Sequence, residues 1–225
     1  VRRDILLRPG RPFNPLEALE TERNLRASGF LRHAEVRPRR VQGALDLEVL
    51  TQDSWTLAPQ FSVGTEGGDR FLILGLEEGN LLGYGKSVSF FNAQVGPRIR
   101  NELRYSDPHL LGSWARLNTL YSRTHRGDEI GVSVGRPFFS LETPLATQAS
   151  WARIVQEQVI FQNALETTKF VEDFRSVSAS FAGRLPGGGD PVQRLGAGWL
   201  YERRTFDALT DTSPGSLPGG LERHV

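Results

Sequence analysis

Residues 128–138 read "DEIGVSVGRPF", and two incompatible folds compete for them. Gly131-Val132-Ser133-Val134-Gly135 satisfies the G-x-S-x-G pattern of a hydrolase nucleophile elbow. That motif works only where a strand turns sharply into a helix and lifts the serine hydroxyl clear. Here Ile130, Val132 and Val134 alternate with Gly131, Ser133 and Gly135, the alternation runs on into Arg136-Pro137-Phe138, and no helical period follows. One apolar face and one small or polar face with period two is the signature of a strand. Ser133 is then a small side chain on a strand face, and a soluble hydrolase acting through it is the weaker reading.

The same alternation recurs on both sides. Ile99, Leu103 and Tyr105 oppose Arg100, Glu102 and Arg104, and Val177, Ala179 and Phe181 oppose Ser176, Ser178 and Ser180. From Trp55 onward the pattern predicts nine strands, near 55–64, 69–78, 86–95, 97–107, 114–124, 128–138, 145–162, 166–184 and 191–206. A soluble sandwich alternates too, but its polar face is usually rich in Lys, Glu and Thr. Arg, Glu, Gln, Asn and small residues suit the crowded aqueous lumen of a barrel. Trp55, Tyr84, Trp114, Phe138 and Phe139 fall at alternate strand ends, the ends that would share one membrane interface as an aromatic girdle. Two stretches fit less well. Phe71–Leu76 is apolar on both faces and has no unique orientation, and Ile154–Phe170 holds a stretch that could form a helical turn in an outer loop.

Composition agrees with this class. The chain has 225 residues, 38% of them hydrophobic, 24 glycines and a formal net charge of +1. A barrel needs only alternate residues apolar, whereas disorder would call for low hydrophobicity with high net charge. Lys86 and Lys169 are the only lysines among 27 basic residues. Acidic residues interleave with the arginines, so there is no phosphate-binding stripe and no nucleic-acid partner is expected. The absence of cysteine excludes disulfides and thiolate metal sites without selecting a compartment.

His33, His109, His125 and His224 lack the spacing of a metal site. Gly79–Ser87 misses the phosphate-loop pattern by one residue and runs into a strand rather than a helix. Asp107-Pro108-His109 reads as a turn starter. Neither a cofactor nor an enzymatic activity is expected. The longest apolar run, Phe71–Leu76, is far below the ~18–20 residues of a spanning helix, so a membrane crossing would use strands. With no Met and no leader at the start, Val1 reads as an internal start and Val225 as a cut.

Residues 1–54 read differently. Asn14 is a good N-cap, Pro15 sits at the first helical position, Glu17 completes a capping box, and Gly29 is placed to end the helix as a C′ residue. Leu16, Leu19 and Leu25 give its apolar face. A shorter helix is predicted over Arg3–Leu7, and strands over Ala34–Val41 and Leu45–Leu50 joined by a turn at Gln42-Gly43. Two helices and two strands make a thin core, which implies a missing first strand upstream.

Four stretches carry a resemblance. "LLRPGRPFNPLEALETERNLRASGFLRHAEV" (6–36) resembles the two helices and second strand of a POTRA domain. "GNLLGYGKSVSF" (79–90), "RYSDPHLLGSW" (104–114) and "RPFFSLETPLATQASW" (136–151) are similar to the turns after the second, fourth and sixth strands of the barrel that follows it. The family is that of the BamA/TamA-type outer-membrane assembly factors. The resemblance implies a mainly β chain: the C-terminal part of a POTRA (α-α-β-β) domain over 1–54, then the N-terminal half of an antiparallel transmembrane β-barrel, about nine strands, over 55–225.

It further implies a Gram-negative outer membrane with the POTRA part in the periplasm. The turns at 79–85, 108–113, 139–144 and 185–190 would then be periplasmic, and the loops near 65–68, 95–97, 125–128 and 163–166 external. The implied motif residues of the periplasmic turns are Gly79, Asn80, Gly83, Gly85, Asp107, Pro108, Gly112, Arg136, Pro137 and Phe138. The implied job is insertion or translocation of polypeptides, with unfolded outer-membrane clients, the lipid bilayer and accessory assembly proteins as partners and no cofactor.

Leu57, Pro59, Phe61 and Val63 would form the strand of a lateral gate. Proline lacks the N–H a ladder needs, so Pro59 marks either a weak seam or merely the strand's start near the interface. The alternative is a passive channel or receptor barrel with a periplasmic anchor domain.

Overall fold

The computed structural model describes residues 2–162, 165–186 and 192–209. They form one α-helix, a two-stranded sheet and a nine-stranded sheet.

Helix α1 spans Pro15–Arg26. Asn14 Oδ1 accepts the N–H of Leu16 at 3.0 Å, as a cap should. Ala27 is the C-cap, still in the right-handed region, and Gly29 with φ +81° lies two residues further on. Gly29 thus turns the chain into the next strand rather than closing the helix. The second helix expected over Arg3–Leu7 is instead a single 3-10 turn, Arg2–Asp4. Pro9-Gly10 leaves it too few residues to offset the cost of nucleating an α-helix.

The buried face of α1 keeps only one of its three leucines. Leu16 and Leu19 are 61% and 59% exposed, while Ala18, Glu20, Thr21 and Leu25 are buried. Polar docking sets the rotation. Leu6 N–H donates to Thr21 Oγ1 at 3.0 Å, and Val36 N–H donates to Glu22 Oε1 at 2.9 Å.

Strands β1 (Leu31–Val41) and β2 (Ala44–Asp53) form the hairpin about Gln42-Gly43, both residues having positive φ. Leu7, Ala18 and Val36 make one small cluster, and Leu25, Leu31 and Ala34 another, with Val49 packed against both.

The large sheet contains β3 (Leu57–Glu66), β4 (Asp69–Glu78), β5 (Ser87–Val95), β6 (Arg98–Asp107), β7 (Arg116–Thr124), β8 (Gly127–Arg136), β9 (Leu145–Gln162), β10 (Leu165–Arg184) and β11 (Arg194–Ala208). Each strand pairs antiparallel with its neighbours in sequence, so β3 and β11 are the two open edges. Nine strands were expected here and nine are found. The doubtful stretch Ile154–Phe170 is strand wherever it is described, and residues 163–164 at its tip lie outside the described residues. So do 187–191, most of the expected turn at 185–190, and 210–225, which include His224.

Directly opposed residues of antiparallel strands share a face, so the register sorts every side chain. One row of directly opposed residues runs Pro59, Leu76, Phe90, Leu103, Tyr121, Ile130, Arg153, Arg175, Arg203. The face it lies on holds Phe61, Val63, Leu74, Phe90, Leu103, Tyr121, Ile130, Trp151, Phe181 and Trp199, all large and all exposed. An apolar exposure of this extent marks a surface made for a non-aqueous partner.

The apolar run is thereby resolved. Leu72, Leu74 and Leu76 join that face, while Phe71 and Phe91 turn to the other and lie over Gly64 and Gly75. The second face is polar and cross-linked. Glu102 is buried between Arg100 (2.7 Å) and Arg104 (2.5 Å), Ser150 pairs with Ser178 at 2.7 Å, and Ser106 with Asn118 at 2.8 Å. Ser133 lies mid-strand on this face, in hydrogen-bond contact with Asn118 at 3.4 Å.

Candidate functional site

Two regions collect the residues singled out from sequence: the edge strand β3, and the turns at the end of the sheet where the α/β unit sits.

On β3, Leu57, Phe61 and Val63 project from the apolar face with 38%, 71% and 65% exposure, and Pro59 stands opposite Leu76. They share one face of a strand that pairs, among the described residues, with β4 alone. Only Ser54 to Thr56 separate this edge from the end of β2. Ser54 N–H donates to the Phe30 carbonyl at 2.9 Å, and Gly79 N–H to the Thr56 carbonyl at 2.9 Å. The connection is therefore tied at both ends, to the α/β unit and to the first turn.

The turns 79–86 and 108–115 are built alike. Asn80-Leu81-Leu82-Gly83 and His109-Leu110-Leu111-Gly112 each form a 3-10 turn in which the second leucine is left-handed, φ +52° and +51°, and the glycine follows at +78° in both. In the first, Gly85 N–H donates to Asn80 Oδ1 and Asn80 N–H to Glu78 Oε1, both at 2.7 Å. In the second, His109 N–H donates to Asp107 Oδ1 at 2.9 Å. A carboxylate or carboxamide accepting a nearby N–H is how such turns hold their shape. Leu82 and Leu111 stand 84% and 97% exposed at the tips. The glycines of both turns are named from sequence, whereas the left-handed leucine before each is not signalled by residue type.

Asp107 ties the turns together. It is buried, and its carboxylate lies 3.1 Å from Lys86 Nζ. The hydrogen bond with Asp107, and secondarily one with Tyr105, raises the Lys86 pKa above the ordinary lysine value. The α/β unit docks against this end. Leu141 N–H donates to Glu20 Oε1 at 2.7 Å, and Asn24 Nδ2 to the Phe139 carbonyl at 2.9 Å. His109 Nε2 approaches Asp4 Oδ1 to 3.1 Å, close enough for an ion pair though off line for a hydrogen bond.

Between the two parts lies a cavity of about 310 Å³ lined by Arg2, Arg3, Phe30, Pro108, Trp114, Arg116 and Phe139, among others. Trp114 stacks on Phe139 with ring centroids 4.1 Å apart. These two aromatics are therefore not part of an interfacial girdle, because the docked unit draws them inward. Trp55 and Tyr84 do stand exposed, at 83% and 74%. Phe138 lies under the Arg194 guanidinium at 3.9 Å, Arg136 lies over the Phe139 ring at 5.1 Å, and Pro137 begins the coil after β8. The structure thus brings Gly83, Gly85, Pro108 and Gly112 to the junction with the α/β unit: a Cβ at Gly85 would meet Phe30, and one at Gly112 would meet Arg3.

No protein-family model matches the chain, and no curated protein matches it. Among solved structures the fold is similar to that of BamA from Haemophilus ducreyi lacking POTRA domains 1–3. The TM-score is 0.50 and the identity 13%, over 94% of this chain and 53% of that one. The chain spans about half the length of that structure. At this identity the likeness is one of fold: a large antiparallel sheet of nine strands, arranged as in a BamA barrel.

Proposed function

We propose that the chain is the N-terminal part of an outer-membrane assembly barrel: the end of a POTRA domain over 1–54, leading into barrel strands over 55–225. Its work is to insert or export other polypeptides. The exposed apolar face supports the membrane setting, as do strands β3 to β8, each nine or ten residues long, against the ~9–11 a spanning strand needs. The docked α/β unit then lies in the periplasm, with the turns at 79–86, 108–115 and 137–144.

One observation favours an assembly role over a passive channel. The first strand of the sheet, β3, is joined to the α/β unit by three residues held by hydrogen bonds at both ends. A client delivered by the POTRA domain reaches β3 first and adds to it by β-augmentation when the seam at that strand opens. Pro59 removes one donor from the strand, and in lipid no water replaces a missing bond, so the seam at this point is easier to exchange. Binding free energy of strand pairing drives the step, without cofactor or nucleotide. Unfolded outer-membrane proteins are the clients, the bilayer the medium, and accessory assembly proteins further partners.

The test is client folding into liposomes carrying the full-length protein. The wild type should accelerate it over empty liposomes, and Pro59→Val should slow it several-fold. Equal rates for both forms would overturn the gate at Pro59. No acceleration by the wild type would overturn the assembly role in favour of a channel or receptor.

A further inference from the structure

Where the α/β unit docks on the sheet, its buried charges have partners. Glu20 accepts the Leu141 N–H at 2.7 Å, and Asp4 lies 3.1 Å from His109 Nε2. The cavity of about 310 Å³ between the two parts breaks this pattern. Arg2 and Arg3 line it from the 3-10 turn of the α/β unit, and Arg116 lines it from the start of β7. Among the described residues, none of the three makes an ion pair or a side-chain hydrogen bond. Asp4 is the carboxylate among the lining residues, and it is buried against His109. The cavity therefore collects more positive than negative charge.

The two parts contribute that charge from opposite sides. A Cβ added to Gly112 would lie 3.0 Å from both Cζ and Nη2 of Arg3, so the Arg3 guanidinium lies over the backbone of the turn at 108–115. Arg116 stands opposite Gly135, on the polar face of the sheet. Arg2 also lines a separate groove beside Leu45 and Leu47, so the argument rests on Arg3 and Arg116.

Like charges brought together from two units oppose docking. The opposition grows beside Phe30, Trp114 and Phe139, whose rings line the same cavity and lower the local dielectric. All three arginines are exposed, so an anion can reach them.

We propose that this cavity binds a phosphate group, which bridges Arg3 of the α/β unit and Arg116 of the sheet and clamps the two parts together. A phosphomonoester carries about −1.5 to −2 charges, and planar guanidinium forks donate to its oxygens in pairs. An anion that binds only the docked arrangement stabilises it by mass action. Free phosphate and a lipid headgroup both supply the group. The site rests on the docked geometry, and only the headgroup source needs the membrane reading.

The test uses the full-length protein in phosphatidylcholine nanodiscs. Calorimetric titration with inorganic phosphate and pyrophosphate is run beside hydrogen exchange at residues 108–115, with and without phosphatidic acid in the disc. Calorimetric binding that R3Q and R116Q each weaken at least fivefold, and that raised salt also weakens, assigns the site to a free phosphate. Slower exchange that requires phosphatidic acid, and is lost in both R3Q and R116Q, assigns it to a headgroup. R3K should bind better than R3Q, because it keeps the charge without the fork. R3Q alters an exposed side chain with no hydrogen bond to lose, so it reports on the site even if R116Q fails to fold. No response to free phosphate or phosphatidic acid, or equal responses from wild type, R3Q and R116Q, would overturn the site. A loss confined to one folded variant would overturn the bridge.

Discussion

Glu20 and Leu141 lie 121 positions apart in the chain, yet the carboxylate of the first accepts the backbone N–H of the second at 2.7 Å. A buried acidic residue on α1, 3.8 Å from Arg23 of its own helix, thereby also holds a turn of the large sheet. A hydrogen bond to a charged group contributes about 1.5–3 kcal/mol. Glu20→Ala should therefore loosen docking by roughly that amount while the α/β unit stays folded. Hydrogen exchange at residues 137–144 should rise about tenfold or more, with β1 and β2 unaffected; equal protection in both forms would show that the contact does not hold the junction.

The Lys86–Asp107 pair predicts an alkaline limb. Lys86 has a raised pKa because Asp107 accepts from it, so its contribution is fully present below the ordinary lysine value and fades as pH climbs through the higher folded value. The turn 108–115 should loosen only at strongly alkaline pH, as read by Trp114 fluorescence. Lys86→Met should flatten that limb, and a limb that persists unchanged in the variant would assign it elsewhere.

Leu82 and Leu111 hold a left-handed backbone that costs a branched side chain about 1–2 kcal/mol. Each leucine replaced by glycine should raise stability by up to about that amount. If the exposed tips serve to dip into the membrane border, the same variants should bind liposomes more weakly. Thermal unfolding and liposome flotation, measured together, separate the two effects; a pair of variants neither more stable nor less membrane-bound would leave the strain without consequence.

Phe91 lies over Gly75 on the polar face, where a Cβ would sit 2.5 Å from the ring. Gly75→Leu should cost about 1–3 kcal/mol through overpacking, and adding Phe91→Ala should recover most of it. A double-mutant cycle reports the coupling, and additive costs would mean that the ring does not fill that space.

The large sheet was legible because period-two patterning and turn chemistry are local. The strands about Ile130–Val134 and Val177–Phe181 needed no knowledge of their neighbours. The orientation of Phe71–Leu76 was not legible, since two apolar faces carry no phase; only pairing with β3 and β5 supplies it. Helix α1 misled for a related reason. Leu16 and Leu19 look like its core, but Thr21 and Glu22 make the contacts that fix its rotation, and their partners, Leu6 and Val36, lie outside the helix. Trp114 and Phe139 look like interfacial aromatics because the unit that covers them is separated from them by about half of the chain. In the candidate site, the turn residues could be named from sequence, while their shared junction with the α/β unit depended on contacts across more than a hundred positions.

The row from Pro59 to Arg203 starts at the third residue of β3 and ends at the tenth of β11, having climbed seven residues over eight strand-to-strand steps. With the turn ends level, that stagger of almost one residue per strand tilts the strands by roughly 30–35°, close to the slant of a closed wall. The slant is thus set pair by pair, before any closure. A newcomer at either edge inherits it: it must arrive displaced by about one residue relative to its neighbour, and a strand laid flush would leave an end unmatched and reverse no part of the climb.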